Sequence, residues 1–491
     1  PAKPPAYYME NLKDCTAKET LVVFAFSGGG IRSASFGYGA LQAAHATAIP
    51  DGTGSHLFDR DIDAVSGVSG GSFTAAAFAS QHDRLFPAGG HDYYRDNFLT
   101  HNFFADLVKL YLSPLHWRWL FPYYGTNDEM AEIYADIDFS SPKDKLFAAD
   151  FGELAKKGRP FLAVQATDYG SEQPFTFTQN DFDLICSDVN RYPVGAAIAA
   201  SSAFPVLFSP IQLVNHHFTP KTDEDDDFCH SHRPAWVDEV LARPEPVDLS
   251  RIYARAKAAS YYLPTGKRPK AGSSVPRYVY LQDGGATDNV ALRGLSNIMI
   301  QYIPDAETSD RKTAERLCRL KMDGLRKILI VAVDGEAQAD NTVSSLPYLS
   351  DLGLILNVTS SAMIDANGFE VMLSTDAMLK NFAERLSHLD CGNADADFPH
   401  EVKAYFARVS FQDLAAATAF SSPAACGKAK GESCTVDDLA HTDTSLNFSD
   451  AEVDALIAAG KSAFACNRKI RQFLADSGAS PPAGTLACAA P

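Results

Sequence analysis

The sequence predicts an α/β fold: a mostly parallel central sheet flanked by helices, with a C-terminal helical and mixed extension. Three observations predict it. Leu21 to Phe26 is a continuous apolar run, as a strand buried on both faces requires. A glycine turn and an Ala-rich stretch follow it, and the same order of apolar strand, glycine turn and small-residue helix returns at 61–80, which is the pattern of α/β proteins. Finally, 46% of the 491 residues are hydrophobic, and Gly and Pro, at 32 and 27, are near average usage. A core of ordinary density is therefore within reach, and collagen-like, low-complexity and wholly disordered classes are excluded.

The elements follow in order. Residues 1–20 form a polar lead-in. After the first strand, Ser27 to Gly30 turns the chain into a helix over Ser33 to Ala46, rich in Ala, Leu and Gln. Asp61 to Ser66 is a second short strand, turned by Gly67-Val68-Ser69-Gly70-Gly71 into a helix over Phe73 to Ser80. Later strands are expected at Phe161 to Gln165, Phe175 to Thr178, Arg277 to Gln282 and Lys327 to Val333, and helices at Val194 to Ser201 and Asn289 to Tyr302. Residues 219–275, with the acidic run Lys221 to Asp227, form an excursion from the core; that run fits no calcium-loop spacing and is expected to be solvated. Past residue 335, Val402 to Phe411 suits one further strand. Ser449-x-x-Glu452 is a capping box ahead of a helix whose Val453, Leu456 and Ile457 share one face. No internal repeat occurs. The expected organisation is a lead-in (1–20), a main domain (21–335) and an extension packed on it (336–491).

Charge narrows the partners. Lys and Arg number 43 against 61 Asp and Glu, a net charge of −18 that repels phosphate backbones and excludes nucleic acid as a partner. No apolar run reaches the about 18 to 20 residues that span a bilayer. The chain opens at Pro1 without an initiator Met, which points to processing or trimming. Nine cysteines include no C-x-x-C pair and no accompanying His cluster, so no zinc site is expected. They fit either scattered thiols of a cytosolic enzyme or several disulfides in an oxidising compartment with one Cys left over.

Two glycine turns carry the chemistry. In Gly67-Val68-Ser69-Gly70-Gly71, a serine on a sharp strand-to-helix turn has little room for neighbouring side chains, and the flanking glycines relieve that crowding. The hydroxyl is exposed, with helix N–H groups aimed at the reaction centre. Ser69 is thus a candidate nucleophile, the alternative being an ordinary turn serine. In Ser27-Gly28-Gly29-Gly30-Ile31-Arg32, consecutive glycines free backbone N–H groups to converge on an anion. A nucleotide phosphate is disfavoured, because Ile31-Arg32-Ser33 replaces the Gly-Lys-Ser/Thr of a phosphate loop. A transient oxyanion is favoured, with a purely structural turn as the alternative. The base beside Ser69 is expected to be Asp283, which ends the strand Tyr278 to Gln282 and precedes Gly284-Gly285. In a dry pocket that carboxylate loses hydration and can accept a proton. The histidines 216, 217, 230 and 232 cluster beside the excursion and not after a strand, and a helix-capping role falls to Asp288 and Asn289 instead.

These blocks resemble the patatin-like phospholipases: the glycine loop ending in Arg32, the elbow around Ser69, Asp283-Gly284-Gly285, and an Ala/Ser-rich segment Ala199-Ala200-Ser201-Ser202-Ala203-Phe204-Pro205. The likeness spans about residues 21–335 and is closest to a bacterial branch in which Phe182 to Asp188 and Ala166-Thr167-Asp168 also have counterparts. The resemblance implies a three-layer fold and a lipid acyl hydrolase with a Ser–Asp dyad, no metal and no cofactor. It places the nucleophile at Ser69, the base at Asp283 and the oxyanion donors among Gly28, Gly29 and Gly30. Gly67, Gly71, Gly284 and Gly285 support the turns, and Arg32 holds the loop or meets a phosphate. Ser33 departs from the family, which often has Gly there. The implied substrate is a phospholipid or another lipid ester. A general carboxylesterase or acyltransferase on the same fold, and a catalytically silent lipid- or partner-binding scaffold, are the alternatives.

The resemblance also bears on location. Residues 103–124 crowd Phe103, Phe104, Leu107, Trp117, Trp119 and further aromatics, either as core helices or as a lipid entrance making transient membrane-surface contact. The similar bacterial proteins imply a periplasmic or secreted chain, a reading that includes association with the outer membrane, and a cytoplasmic location is the alternative. In that setting Cys186 is expected to pair with Cys229, tethering the excursion. Proximity alone suggests Cys426 with Cys434 and Cys466 with Cys488.

Overall fold

A computed structural model describes residues 6–11, 19–52, 54–86, 90–112, 125–205, 208–216, 276–300, 317–318, 322–337, 352–391 and 400–490, except 443 and 446. One eight-stranded sheet organises them. Its strands are β1 (Thr20–Phe26), β2 (Ile62–Val68), β3 (Phe161–Asp168), β4 (Gln173–Thr176), β5 (Ile211–Val214), β6 (Tyr278–Asp283), β7 (Lys327–Asp334) and β8 (Lys403–Ser410). The spatial order is β8-β7-β1-β2-β3-β6-β5, with β4 turning back on β3. Strands β8, β7, β1, β2 and β3 run parallel, whereas β6, β5 and β4 are joined by antiparallel pairings. Every residue of β2 and β3 is buried, as in strands covered on both faces, and the polar residues they carry include Ser66 and Gln165, which bond each other at 2.8 Å.

Helices α1 (Gly30–His45) and α2 (Gly70–Leu85) leave β1 and β2 directly, each from a glycine turn. Later helices include α3 (Phe103–Leu112), α4 (Thr126–Ala135), α5 (Val194–Ser201), α6 (Gly285–Asp288), α7 (Arg293–Ile300) and α8 (Leu352–Ser387), with further ones over Phe151–Lys157 and Gln179–Leu184 between α4 and α5. Towards the C-terminus come α9 (Val436–Ala440) and α10 (Asp450–Cys466), followed by a further helix over Arg468–Ala475. The expected capping box is present: Ser449 accepts from the Glu452 N–H and the Glu452 carboxylate accepts from that of Ser449. Helix α10 crosses α1 where both lack bulk, since a Cβ on Gly39 would stand 2.0 Å from the Ile457 carbonyl and one on Gly460 1.9 Å from that of Phe36. β8 and α10, both beyond residue 335, thus complete the sheet and its cover.

Some boundaries differ from expectation. The helix expected from Asn289 begins only at Arg293, because Ala291 adopts φ +58°, which no right-handed helix contains. The strand expected at 175–178 is shifted to Gln173–Thr176. β5, α4 and the 36-residue α8 were not anticipated. The lead-in is anchored by Tyr7, which is fully buried; its ring stacks on Phe161 with centroids 4.7 Å apart and its hydroxyl accepts from the Leu162 N–H at 2.8 Å. The excursion, including the acidic run, lies outside the described residues, as do residues 113–124.

Disulfides join Cys426 to Cys434 and Cys466 to Cys488, the pairs that proximity suggested, and Cys318 to Cys391, which it did not. Cys186 is disulfide-bonded, but Cys229, its expected partner, lies outside the described residues. Several disulfides in one chain point to an oxidising compartment. Among the described residues no helix is long and apolar enough to cross a membrane.

Candidate active site

Strand register brings the two turns and the acid together. Phe26 of β1 pairs with Gly67 of β2, and Val68 pairs with Gln165 of β3. Ala166, the next residue of β3, pairs with Asp283 at the end of the antiparallel β6. The ends of β1, β2 and β6 therefore lie at one level, at the carboxyl edge of the parallel strands, where α/β sheets place their ligands.

Ser69 occupies the bend between β2 and α2 with φ +47° and ψ −123°, a conformation rare for a residue with a side chain. Its Oγ donates to Asp283 Oδ2 at 2.7 Å. The other carboxylate oxygen, Oδ1, accepts from the Gly285 N–H at 2.8 Å. Asp283 is buried, and that desolvation pushes its pKa from the ordinary 3.8 up to about 6, against the lowering effect of the Gly285 N–H and the Ser69 hydroxyl. Close backbone approach explains the glycines of the turns. A Cβ on Gly67 would stand 2.6 Å from Ser72 Cα, one on Gly71 2.3 Å from the Phe26 carbonyl, and one on Gly284 2.4 Å from the Gln165 carbonyl.

The glycine loop runs beside the serine: a Cβ on Gly28 would lie 3.4 Å from Ser69 Cβ, and one on Gly70 only 2.0 Å from the Gly30 carbonyl. The Gly28 N–H is donated to the Asn289 backbone carbonyl at 2.9 Å. The Gly29 and Gly30 N–H groups donate to no carbonyl among the described residues. Arg32 is 1% exposed; its Nε donates to the Gly335 carbonyl at 2.9 Å and its guanidinium also reaches the Thr442 carbonyl. Ser33, where the family often has Gly, donates its hydroxyl to the Ser27 carbonyl at 2.6 Å and so closes the loop on itself.

The family model described as patatin-like phospholipase matches residues 24–295, more than half of the chain. The chain belongs to the patatin-like phospholipase family. Membership supports lipid acyl hydrolysis as the general class of activity. No curated protein matches the chain. Among solved structures, it is similar to Human GIVD cytosolic phospholipase A2 at 12% identity and a TM-score of 0.40, covering 96% of this chain and 61% of that one. It is also similar to VipD from Legionella pneumophila at 13% identity and a TM-score of 0.22, covering 91% of this chain and 68% of that one. The chain thus spans less than two thirds of the length of the first of these.

In this member of the patatin-like phospholipase family, three polar neighbours of Ser69 and Asp283 escaped sequence reasoning. Ser201 Oγ accepts from the Ser69 N–H at 2.9 Å and donates its own O–H to the Gln165 carbonyl at 2.5 Å, steadying the bend. It ends α5 inside the Ala/Ser-rich segment, so the motif was visible but not the role. Asn289 wedges between the turns: its Oδ1 lies 2.1 Å from where a Gly28 Cβ would stand and 2.8 Å from where a Gly285 Cβ would. Tyr134 of α4 is buried, and its phenol is pushed up to about 12 by burial first, with the Asp283 charge adding to the effect. Nothing in the local sequence marks Tyr134. Of the four clustered histidines, His216 follows β5 and donates its N–H to the Ile185 carbonyl, while His217, His230 and His232 lie outside the described residues.

Proposed function

We propose that this chain is a serine lipid acyl hydrolase of the phospholipase A or lysophospholipase type, acting through a Ser69–Asp283 dyad. The 2.7 Å hydrogen bond from the strained Ser69 to a buried, otherwise backbone-held carboxylate carries the reading. Ser69 Oγ attacks the acyl carbonyl as its proton passes to Asp283. The oxyanion that forms is stabilised by the Gly29 and Gly30 N–H groups. Collapse expels the alcohol, which takes the proton back from Asp283. A water then gives Asp283 a proton as it attacks the acyl-enzyme, and collapse releases the fatty acid and expels Ser69 Oγ, which takes that proton back from Asp283. Arg32 serves to hold the loop, since its guanidinium is already bonded to two backbone carbonyls. Fluorophosphonate capture of Ser69, with mass spectrometry of products from mixed phospholipids and neutral esters, tests the reading. A chain that is neither captured nor active on any ester would overturn it.

The base must be ionised to act, so kcat/KM should be flat above about pH 7 and fall as pH drops through about 6, where Asp283 takes up its proton. Asp288, also pushed up to about 6 by burial, caps the next turn through the Val290 and Arg293 N–H groups. The acidic limb should therefore survive in Asp288→Asn. A profile without a limb between about pH 5 and 7 would argue against Asp283 as base.

Helix α3 supports contact with a lipid surface. Phe103, Leu107 and Leu110 are buried in the core, whereas Phe104 (58% exposed), Val108, Tyr111 and Leu112 (74%) face outward at helical spacing. The net charge of −18 favours zwitterionic over anionic membranes. Phe104→Ser combined with Leu112→Ser should slow hydrolysis of phosphatidylcholine vesicles by roughly 10-fold or more while sparing a soluble short-chain ester. Equal losses on both substrates would place this face in folding instead. The disulfides support a periplasmic or secreted location, and there we assign Cys229 as the partner of Cys186.

A further inference from the structure

We infer that Thr442, Thr444 and Ser445, far outside the family-matched residues, form a positioning element for the oxyanion loop. The inference rests on the assignment of Gly29 and Gly30 as oxyanion donors. Gly30 is held between two backbones. On one side lies the elbow, where a Cβ on Gly70 would stand 2.0 Å from the Gly30 carbonyl. On the other lies the C-terminal segment: a Cβ on Gly30 would meet the Ser445 carbonyl at 2.9 Å and Thr444 Cγ2 at 3.1 Å.

The same segment is bonded to the start of α1. The Ile31 N–H donates to the Ser445 carbonyl at 3.4 Å. The Arg32 guanidinium reaches the Thr442 carbonyl and the Thr444 hydroxyl, the latter at 3.4 Å, while its Nε holds the Gly335 carbonyl at the end of β7. Arg32 therefore ties the loop to the sheet and to the C-terminal segment at once.

That segment is itself braced. The Cys426–Cys434 disulfide precedes the capping box of α9, which leads into Thr442. The Ser445 hydroxyl donates to the Asn447 carbonyl at 2.8 Å and accepts the Asn447 N–H at 3.1 Å, shaping the turn that aims the Ser445 carbonyl at Ile31. Helix α10, just beyond, is locked across α1 at Gly39 and Gly460. Oxyanion donors act only if they are aimed before the charge develops, and an error near 1 Å is costly. On this geometry the C-terminal segment contributes to turnover without touching substrate.

The test uses the full chain with Ser445→Ala, Ser445→Thr and Thr444→Val. Three readouts apply: the rate of fluorophosphonate capture at Ser69, kcat and KM on a soluble ester, and hydrogen exchange over residues 27–35. Ser445→Ala should lower the capture rate and kcat together by roughly 10-fold at nearly constant KM, and speed exchange at Ile31. Ser445→Thr, which keeps a hydroxyl, should recover most of the rate. Thr444→Val, nearly isosteric, should show a smaller loss of the same kind and keeps the test open if Ser445→Ala does not fold. Wild-type capture, turnover and loop exchange in Ser445→Ala and Thr444→Val would overturn the inference. If the wild-type chain is not captured at all, the dyad reading fails separately, and exchange at Ile31 alone decides whether the segment holds the loop.

Discussion

Ser69→Ala and Asp283→Asn are each expected to lower ester turnover by roughly 10⁴-fold or more, because nucleophile and base act as one unit. The two losses should not multiply in the double variant. Stability should move the other way in Asp283→Asn. A carboxyl whose pKa rises from 3.8 to about 6 on folding binds its proton more tightly in the native state. Its contribution to stability is present below about pH 4 and is lost as pH rises through about 6. Keeping the charge buried at pH 8 costs up to about 3 kcal/mol, at 1.36 kcal/mol for each pH unit between the two values. The neutral amide avoids that cost and retains an oxygen to accept the Gly285 N–H. Asp283→Asn should therefore melt at or above the wild-type temperature at pH 8 and lose that advantage at pH 4. Retention of more than a few per cent of activity by Asp283→Asn would sink the assignment of the base, whatever the melting curves show.

Gly29→Val should reduce turnover by roughly 10²- to 10³-fold, the scale of a lost oxyanion donor. Gly29 has φ +132°, a backbone conformation that side-chain-bearing residues rarely adopt. A Cβ there would also stand 3.0 Å from the Arg32 guanidinium and 3.2 Å from Ser33 Cβ, so the loop must shift. Capture of Ser69 by a fluorophosphonate should slow in parallel, because the phosphonyl oxygen draws on the same N–H groups. Gly52→Ala provides the comparison: Gly52 also has positive φ, at +74°, but a Cβ there meets nothing within 4 Å. It should cost about 1 kcal/mol of stability and leave turnover alone. Normal capture in Gly29→Val would remove this loop from the oxyanion site.

The most legible parts of the chain were those with local causes. β1 announces itself as an apolar run because a strand covered on both faces needs no polar alternation, and β2 by the glycine turn and small-residue helix that follow it. The glycines around Ser69 and before Arg32 are visible because close backbone contacts exclude a Cβ at particular positions. The α10 capping box is equally local, since its two hydrogen bonds join residues three apart. Less legible were elements whose stability comes from elsewhere. β5 is four residues long and depends on β6 for its ladder. α8 was missed although it runs for 36 residues, because apolar and polar residues are spread around it.

The sequence by itself determined the class of fold, the serine elbow, the glycine loop and Asp283 as the acid at a strand end, because each is written in neighbouring residues. Tertiary structure alone decided how these are assembled. It set β6 antiparallel to β3 so that Asp283 meets Ser69, 214 residues away. It turned the Gly28 N–H onto the Asn289 carbonyl and set the glycine loop against the Ser69 elbow. It paired Cys318 with Cys391 across 73 residues, and it brought Thr442 to Arg32 across 410. Contacts of that range carry no periodic signal along the chain. They arise when the sheet and its covering helices pack, and only then does a buried arginine find the carbonyls that satisfy it.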